Sequence, residues 1–202
     1  MPQFSELQKD ALCEIFNISV SQAAAAMSEI IRATVKLTVP KVEICDVETA
    51  VAYLNQGNAR ICGVSQTFHG SFDGKAILIF PEERSLELVR LMMGIDVPME
   101  LLTDMEQDAL AEVGNIVLNA CLASLSDMFS QQFDCELPQL VEGNSLSLLQ
   151  GYGAGNVLIL LHIKFSVAEH ALEGYIIFVV NAHSMKALEQ SVDKFLQGAG
   201  DI

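Results

Sequence analysis

From Thr103 to Gln132 the chain reads TDMEQDALAEVGNIVLNACLASLSDMFSQQ, and two patterns run through it at helical spacing. Leu110, Val113, Val117, Cys121, Leu125 and Met128 recur at the intervals of one buried stripe. Asp108, Glu112, Asn115 and Asn119 recur in the same way on another face, which sets a carboxylate beside an amide. Thr103 and Glu106 form a T-x-x-E capping box, which predicts that a helix starts there. The stretch is expected to be one long amphipathic helix.

The same layout occurs earlier, in SELQKDALCEIFNISVSQAAAAMSEII from Ser5 to Ile31. Ser5 and Gln8 give an S-x-x-Q box, and Asp10, Glu14, Asn17 and Ser21 form the polar stripe. Ser5, Asp10, Glu14, Asn17 and Pro40 are followed at a constant offset of 98 residues by Thr103, Asp108, Glu112, Asn115 and Pro138. Both copies therefore read D-x3-E-x2-N-x22-P. A polar stripe alone is the ordinary solvated face of a helix. A repeat that reaches a proline well beyond the stripe is more than a solvated face requires. Asn is also a poor interior helix former, costing a few tenths of a kcal/mol against Lys, Gln or Glu, and such local costs gather at functional sites.

Composition narrows the classes. With 51% hydrophobic residues the chain can bury a substantial core. A net charge of −15, with only 11 Lys and Arg, argues against nucleic acid and against insertion into or docking on an anionic membrane. Cys13, Cys45, Cys62, Cys121 and Cys135 are odd in number and contain no C-x-x-C, as expected of reduced, mostly buried thiols in a cytoplasmic protein. Residues 1–9 lack the pattern of a signal peptide, and no apolar run approaches the ~20 residues of a membrane span. His69, His162, His170 and His183 have no metal-ligand spacing, and Asn stands where a di-iron bundle would carry the His of E-x-x-H. No tightly bound metal is expected. No P-loop or nucleophile motif is present, and the glycine-rich Gly151–Gly155 is not followed by a helix signal.

Each half reads as helix, strands, helix. Strands are expected at Thr34–Val39 and Val42–Val47 around Pro40, then at Ala59–Phe72 and Lys75–Phe80 as a hairpin turning at Asp73-Gly74, with a helix Glu82–Met93 stopped by Gly94. The second half predicts strands at Gln139–Val141, Ser145–Leu149 (within a loop), Val157–Val167 and Tyr175–Asn181. A turn is expected near Glu173-Gly174 and a closing helix at Ala182–Leu196. The expected fold is α+β: a pseudo-two-fold duplication sharing one antiparallel sheet, with two long helices exposed on one face.

The doubled motif resembles the CheC, CheX and FliY family of chemotaxis phosphatases, over nearly the whole chain, and two intact copies resemble the CheC-like arrangement most. The resemblance implies a single CheC-like domain over residues 1–202, built from repeats of about 1–98 and 99–202. It implies hydrolysis of the aspartyl phosphate of a CheY-like receiver domain. Glu14 with Asn17 and Glu112 with Asn115 would be the catalytic pairs, supported by Asp10, Asp108, Pro40 and Pro138. Mg²⁺ would come with the receiver, and no cofactor would belong to this chain. The alternative is a non-catalytic adaptor of the chemotaxis or flagellar-switch machinery, for example a partner of the receptor deamidase CheD. Phe16 stands where the second copy has Gly114, which implies that partners approach the two sites differently.

Overall fold

Ser5 starts the first helix as its sequence requires. Its Oγ accepts from Gln8 N at 3.2 Å while Gln8 Oε1 accepts from Ser5 N at 2.7 Å, so both members of the box are made. The computed structural model describes residues 4–54, 60–70, 72–93, 103–149, 152, 156–167 and 170–199. Helix α1 spans Glu6–Ile31, followed by β1 (Val35–Cys45), α2 (Val47–Leu54), β2 (Ile61–Gly70), β3 (Gly74–Pro81) and α3 (Glu82–Met93). The second half runs α4 (Thr103–Phe129), β4 (Phe133–Cys135), β5 (Gln139–Gly143), α5 (Ser145–Leu149), β6 (Asn156–Val167), β7 (His170–Asn181) and α6 (Ala182–Ala199). The side chains of Thr103 and Glu106, the stop at Gly94 and most of Gly151–Gly155 lie outside the described residues.

The repeat is visible at every level. Both long helices end on a non-glycine residue in the left-handed region, Arg32 (φ 53) and Ser130 (φ 50), again 98 apart. Asp46 caps α2 by accepting from Thr49 N at 2.8 Å, and its counterpart Asn144 caps α5 by accepting from Ser147 N at 2.7 Å. The sheet is antiparallel in the order β1-β6-β7-β3-β2-β4, with β5 also on β2. Shifted by the offset, β1 becomes β4 with β5, β2 becomes β6, and β3 becomes β7. The order therefore reads the same from either edge. The pseudo-two-fold passes between β3 and β7, where Leu78 faces Ile176, its own counterpart. The first strand of each half lies against the hairpin of the other.

Apolar side chains fill both faces of the sheet. One face carries Phe68, Leu78, Phe165 and Phe178 beneath α1, α3, α4 and α6. The other carries Ile77, Ile79, Leu158, Leu160 and Ile177 beneath the short α2 and α5. Burial on both sides explains the unbroken runs VLILL at 157–161 and IIFVV at 176–180, where a half-exposed strand would alternate. By length and mean hydropathy (1.4), Gln107–Asp127 in α4 would suffice to cross a membrane; here half of it is buried inside the fold. That qualifies the expectation that no stretch approaches such a length.

Several expectations are corrected. The two strands around Pro40 are one strand, β1, whose register against β6 shifts between Thr38 and Lys41. An edge position and a bulge both tolerate a residue without an N–H. Ser145–Leu149 is helix α5, not a strand, because a run that short has no readable period and Asn144 supplies a cap. Glu173 and Gly174 lie inside β7, opposite Lys164 and Ile163, and the β6–β7 pairing continues to Val167 opposite His170. Gly174 serves close packing instead: a Cβ there would stand 2.7 Å from the Ile79 carbonyl oxygen. Strand β4 had no sequence signal.

Candidate functional site

The inner sides of α1 and α4 are fixed by the core. Leu12, Ile15 and Phe16 are buried under α1, and Val113, Gly114 and Val117 under α4. The polar stripes are thereby turned outward. Asp10, Glu14, Asp108 and Glu112 are exposed, while Asn17 and Asn115 are half-buried one turn along from each Glu. These four carboxylates make no hydrogen bond or ion pair among the described residues.

The two asparagines have different surroundings. Asn17 Nδ2 donates to Val39 O at 2.9 Å and to Cys13 O at 3.0 Å, and Asn17 Oδ1 accepts from Val39 N at 2.8 Å. The N-x22-P spacing thus corresponds, in this copy, to a side chain clasping the peptide just before Pro40. Both Nδ2 hydrogens are spent on backbone. Asn115 has no such clasp. Leu137, the counterpart of Val39, is 85% exposed, and the strand is interrupted there into β4 and β5. Asn115 Oδ1 accepts from Asn119 Nδ2 at 2.8 Å, and its own Nδ2 hydrogens have no acceptor among the described residues. Pro40 is exposed and Pro138 half-buried.

A third side chain takes part. Gln66 of β2, 3% exposed, donates from Nε2 to Asn119 Oδ1 at 3.0 Å and to Glu136 O at 3.1 Å. The sequence reading placed Asn119 on the stripe without a role and passed over Gln66. The available signal was a long amide within the otherwise buried run of β2.

Phe16 and Gly114 both point inward, which corrects the expectation that they set how closely a partner approaches. Phe16 stacks on Phe178 with ring centroids 5.2 Å apart. At Gly114 a Cβ would stand 2.4 Å from Val64 Cβ, so the missing side chain lets α4 sit down on β2. Their difference governs helix-to-sheet spacing.

Beside the first pair, Cys13 Sγ donates to Val39 O at 3.1 Å. Burial raises this thiol above its ordinary value, and the carboxylates of Asp10 and Glu14 raise it further, so it stays protonated near neutral pH. A groove of about 310 Å³ opens here between α1 and β1. Its cations are already matched, Lys9 to Glu6 at 2.7 Å and Lys41 to Glu43. Among the described residues no three His, Cys, Asp or Glu side chains converge as metal ligands.

The profile described as chemotaxis phosphatase CheX matches residues 62–162, half of the chain, and that of the CheC-like family matches residues 7–44. The chain belongs to the CheC/CheX family. The CheC-like match contains Glu14, Asn17 and Pro40, and the CheX match contains Glu112, Asn115 and Pro138. This CheC/CheX chain is 25% identical over 138 residues to the CheY-P phosphatase CheC of Bacillus subtilis, spanning 67% of this chain and 66% of that one. Its fold is similar to that of Thermotoga maritima FliY, with a TM-score of 0.76 at 18% identity, covering 96% of this chain and 100% of that one. It is also similar to the structure of a CheX-CheY-BeF3-Mg²⁺ complex from Borrelia burgdorferi, with a TM-score of 0.54 at 16% identity, covering 83% and 97%.

Proposed function

We propose that this protein is a phosphatase that hydrolyses the aspartyl phosphate of a CheY-like receiver domain in the cytoplasm, with Glu112 and Asn115 as its principal pair. Water attacks phosphorus in line, the new P–O bond forms as the acyl phosphate P–O bond breaks, and inorganic phosphate leaves a free Asp on the receiver. The receiver brings the phosphoryl group, its Mg²⁺ and a Lys. A positioned water is what remains to be supplied, and a fixed amide does this as the Gln of small GTPases does. The observation that carries the reading is the half-buried amide of Asn115, with uncommitted Nδ2 hydrogens, one turn from an exposed Glu112 with no partner among the described residues. Glu112 pairs with a cation on the receiver and brings the amide into register. Glu14 and Asn17 form the second pair. Asp10 and Asp108 lie one turn before the two Glu residues, and Pro40 and Pro138 shape the adjoining strand.

The test mixes phosphorylated receiver with the parent protein and with the Asn17→Ala, Asn115→Ala double variant, and measures phosphate release and binding separately. The double change is expected to slow release about tenfold to a thousandfold, as loss of a polar transition-state contact does, while binding holds within a few-fold. A double variant as fast as the parent would refute water positioning by these amides. No release from any receiver by the parent would leave the surface to an adaptor.

A further inference from the structure

Beside Glu112 three side-chain amides stand in line, and the line begins at a group that can only accept. The Glu136 carbonyl oxygen accepts from Gln66 Nε2 at 3.1 Å, the same nitrogen donates to Asn119 Oδ1 at 3.0 Å, and Asn119 Nδ2 donates to Asn115 Oδ1 at 2.8 Å. A backbone carbonyl has no hydrogen to give, so Gln66 must present its nitrogen. That nitrogen has only hydrogens to offer, so Asn119 must present its oxygen. Its other end is then a donor, and Asn115 must meet it with oxygen. One fixed carbonyl therefore sets the sense of all three amides. Asn115 keeps both Nδ2 hydrogens and one lone pair of Oδ1 for whatever approaches α4.

The anchor is held through its nitrogen and its backbone, while Gln66 Oε1 is buried without a partner among the described residues. Gln66 is 3% exposed, its residue is paired with Ala76 across the β2–β3 ladder, and Glu136 N donates back to Thr67 O at 2.9 Å. The first copy has no equivalent. Ser21 stands for Asn119 and donates to Asn17 O at 2.7 Å, while the apolar Ile163, opposite Gly174 as Gln66 is opposite Ala76, stands for Gln66.

We propose that Gln66 and Asn119 are positioning residues of the Asn115 site, a relay that holds the catalytic amide in one plane and one sense toward the water and phosphoryl group of an aspartyl phosphate. The proposal rests on the phosphatase reading. An asparagine without such a relay has a broad, nearly two-fold terminal torsion and presents nitrogen or oxygen indifferently. Asn119→Asp keeps the shape but replaces the donor with an acceptor, which turns Asn115 the wrong way round. Gln66→Met removes the anchor without adding charge.

The experiment measures kcat and KM for the phosphorylated receiver, together with urea midpoints, for the parent, Asn115→Ala, Asn119→Asp and Gln66→Met. Asn119→Asp is expected to lower kcat about tenfold and Gln66→Met about threefold, by loss of transition-state positioning, with KM within about twofold. In parallel, the ¹⁵N order parameter of the Asn115 side-chain amide is measured in the free protein, and it is expected to fall in Gln66→Met. If Asn115→Ala slows hydrolysis while both relay variants keep the parent kcat, or if the Asn115 amide stays equally ordered without Gln66, the relay is wrong. If the parent itself hydrolyses no receiver phosphate, the phosphatase reading falls, and the catalytic role of the relay falls with it.

Discussion

The side-chain amide of Asn17 holds the Val39 peptide at both ends, donating from Nδ2 to its carbonyl at 2.9 Å and accepting from its N–H at 2.8 Å. It does so where β1 shifts register beside Pro40, so a helix side chain supplies what the strand partner there does not. Asn17→Ala strips the Val39 N–H of its partner and leaves the carbonyl only the weak Cys13 thiol, in a residue that is 1% exposed, and is expected to cost about 2 kcal/mol. Asn115→Ala strips no backbone group and should stay within about 0.5 kcal/mol of the parent. Urea denaturation of the two variants checks this, and equal costs would deny the clasp any part in stability.

The same contrast ranks the two sites. Asn17 must release Val39 before it can serve a partner, whereas the Asn115 nitrogen has no acceptor among the described residues. Asn115→Ala is expected to slow release of receiver phosphate about tenfold or more, and Asn17→Ala only about twofold once corrected for folded protein. Single-variant time courses decide it, and a larger loss with Asn17→Ala would reverse the ranking.

Gly114→Ala places a Cβ 2.4 Å from Val64 Cβ and must lift α4 from β2. A cost of about 1–3 kcal/mol is expected from overpacking. Val64→Ala removes both Cγ atoms, each 2.6 Å from the new Cβ, but keeps the Val64 Cβ, so it relieves part of the clash and the double variant should lose less than the two single losses summed. A double-mutant cycle by thermal or urea unfolding measures the coupling, and strict additivity would mean the two residues do not meet.

Burial pushes the Cys121 thiol up to about 12, and burial with Glu43 and Asp46 pushes Cys45 up to about 11. An unfolded thiol ionises near its ordinary value of 9.0. Above that pH the unfolded chain has shed protons that the folded one retains, so stability is fully present below about pH 9 and falls as pH rises toward the folded values. The melting temperature should be level from pH 7 to 9 and drop beyond. Cys121→Val, of similar size and without a titrating proton, should make that alkaline drop shallower. An unchanged slope in the variant would discount Cys121 as a cause.

The repeat was legible in the sequence because residues such as Asp10, Glu14, Asn17 and Pro40 keep a constant offset from their counterparts, and an offset survives any error in secondary structure. The long helices and the Asp73-Gly74 hairpin were legible for their strong periodicity and turn chemistry. Helix α5 was missed because its identity depends on the Asn144 cap and on packing beside α2. The Asn17 clasp and the Gln66 relay were invisible because each joins residues distant along the chain. Copies related by 98 residues keep the same motif letters while Val39 is buried and Leu137 is exposed, a difference that only the paths of the strands reveal.

The palindromic order of the sheet bears on how the chain must fold. Its only local strand pairs are the hairpins β2–β3 and β6–β7; every other seam among the described strands joins one half to the other. The hairpins can form early, but β1 finds β6, and β3 finds β7, only after long loops have closed. Neither half has a complete sheet to retreat to, so a fault in either is felt in both, and unfolding is expected as one cooperative event.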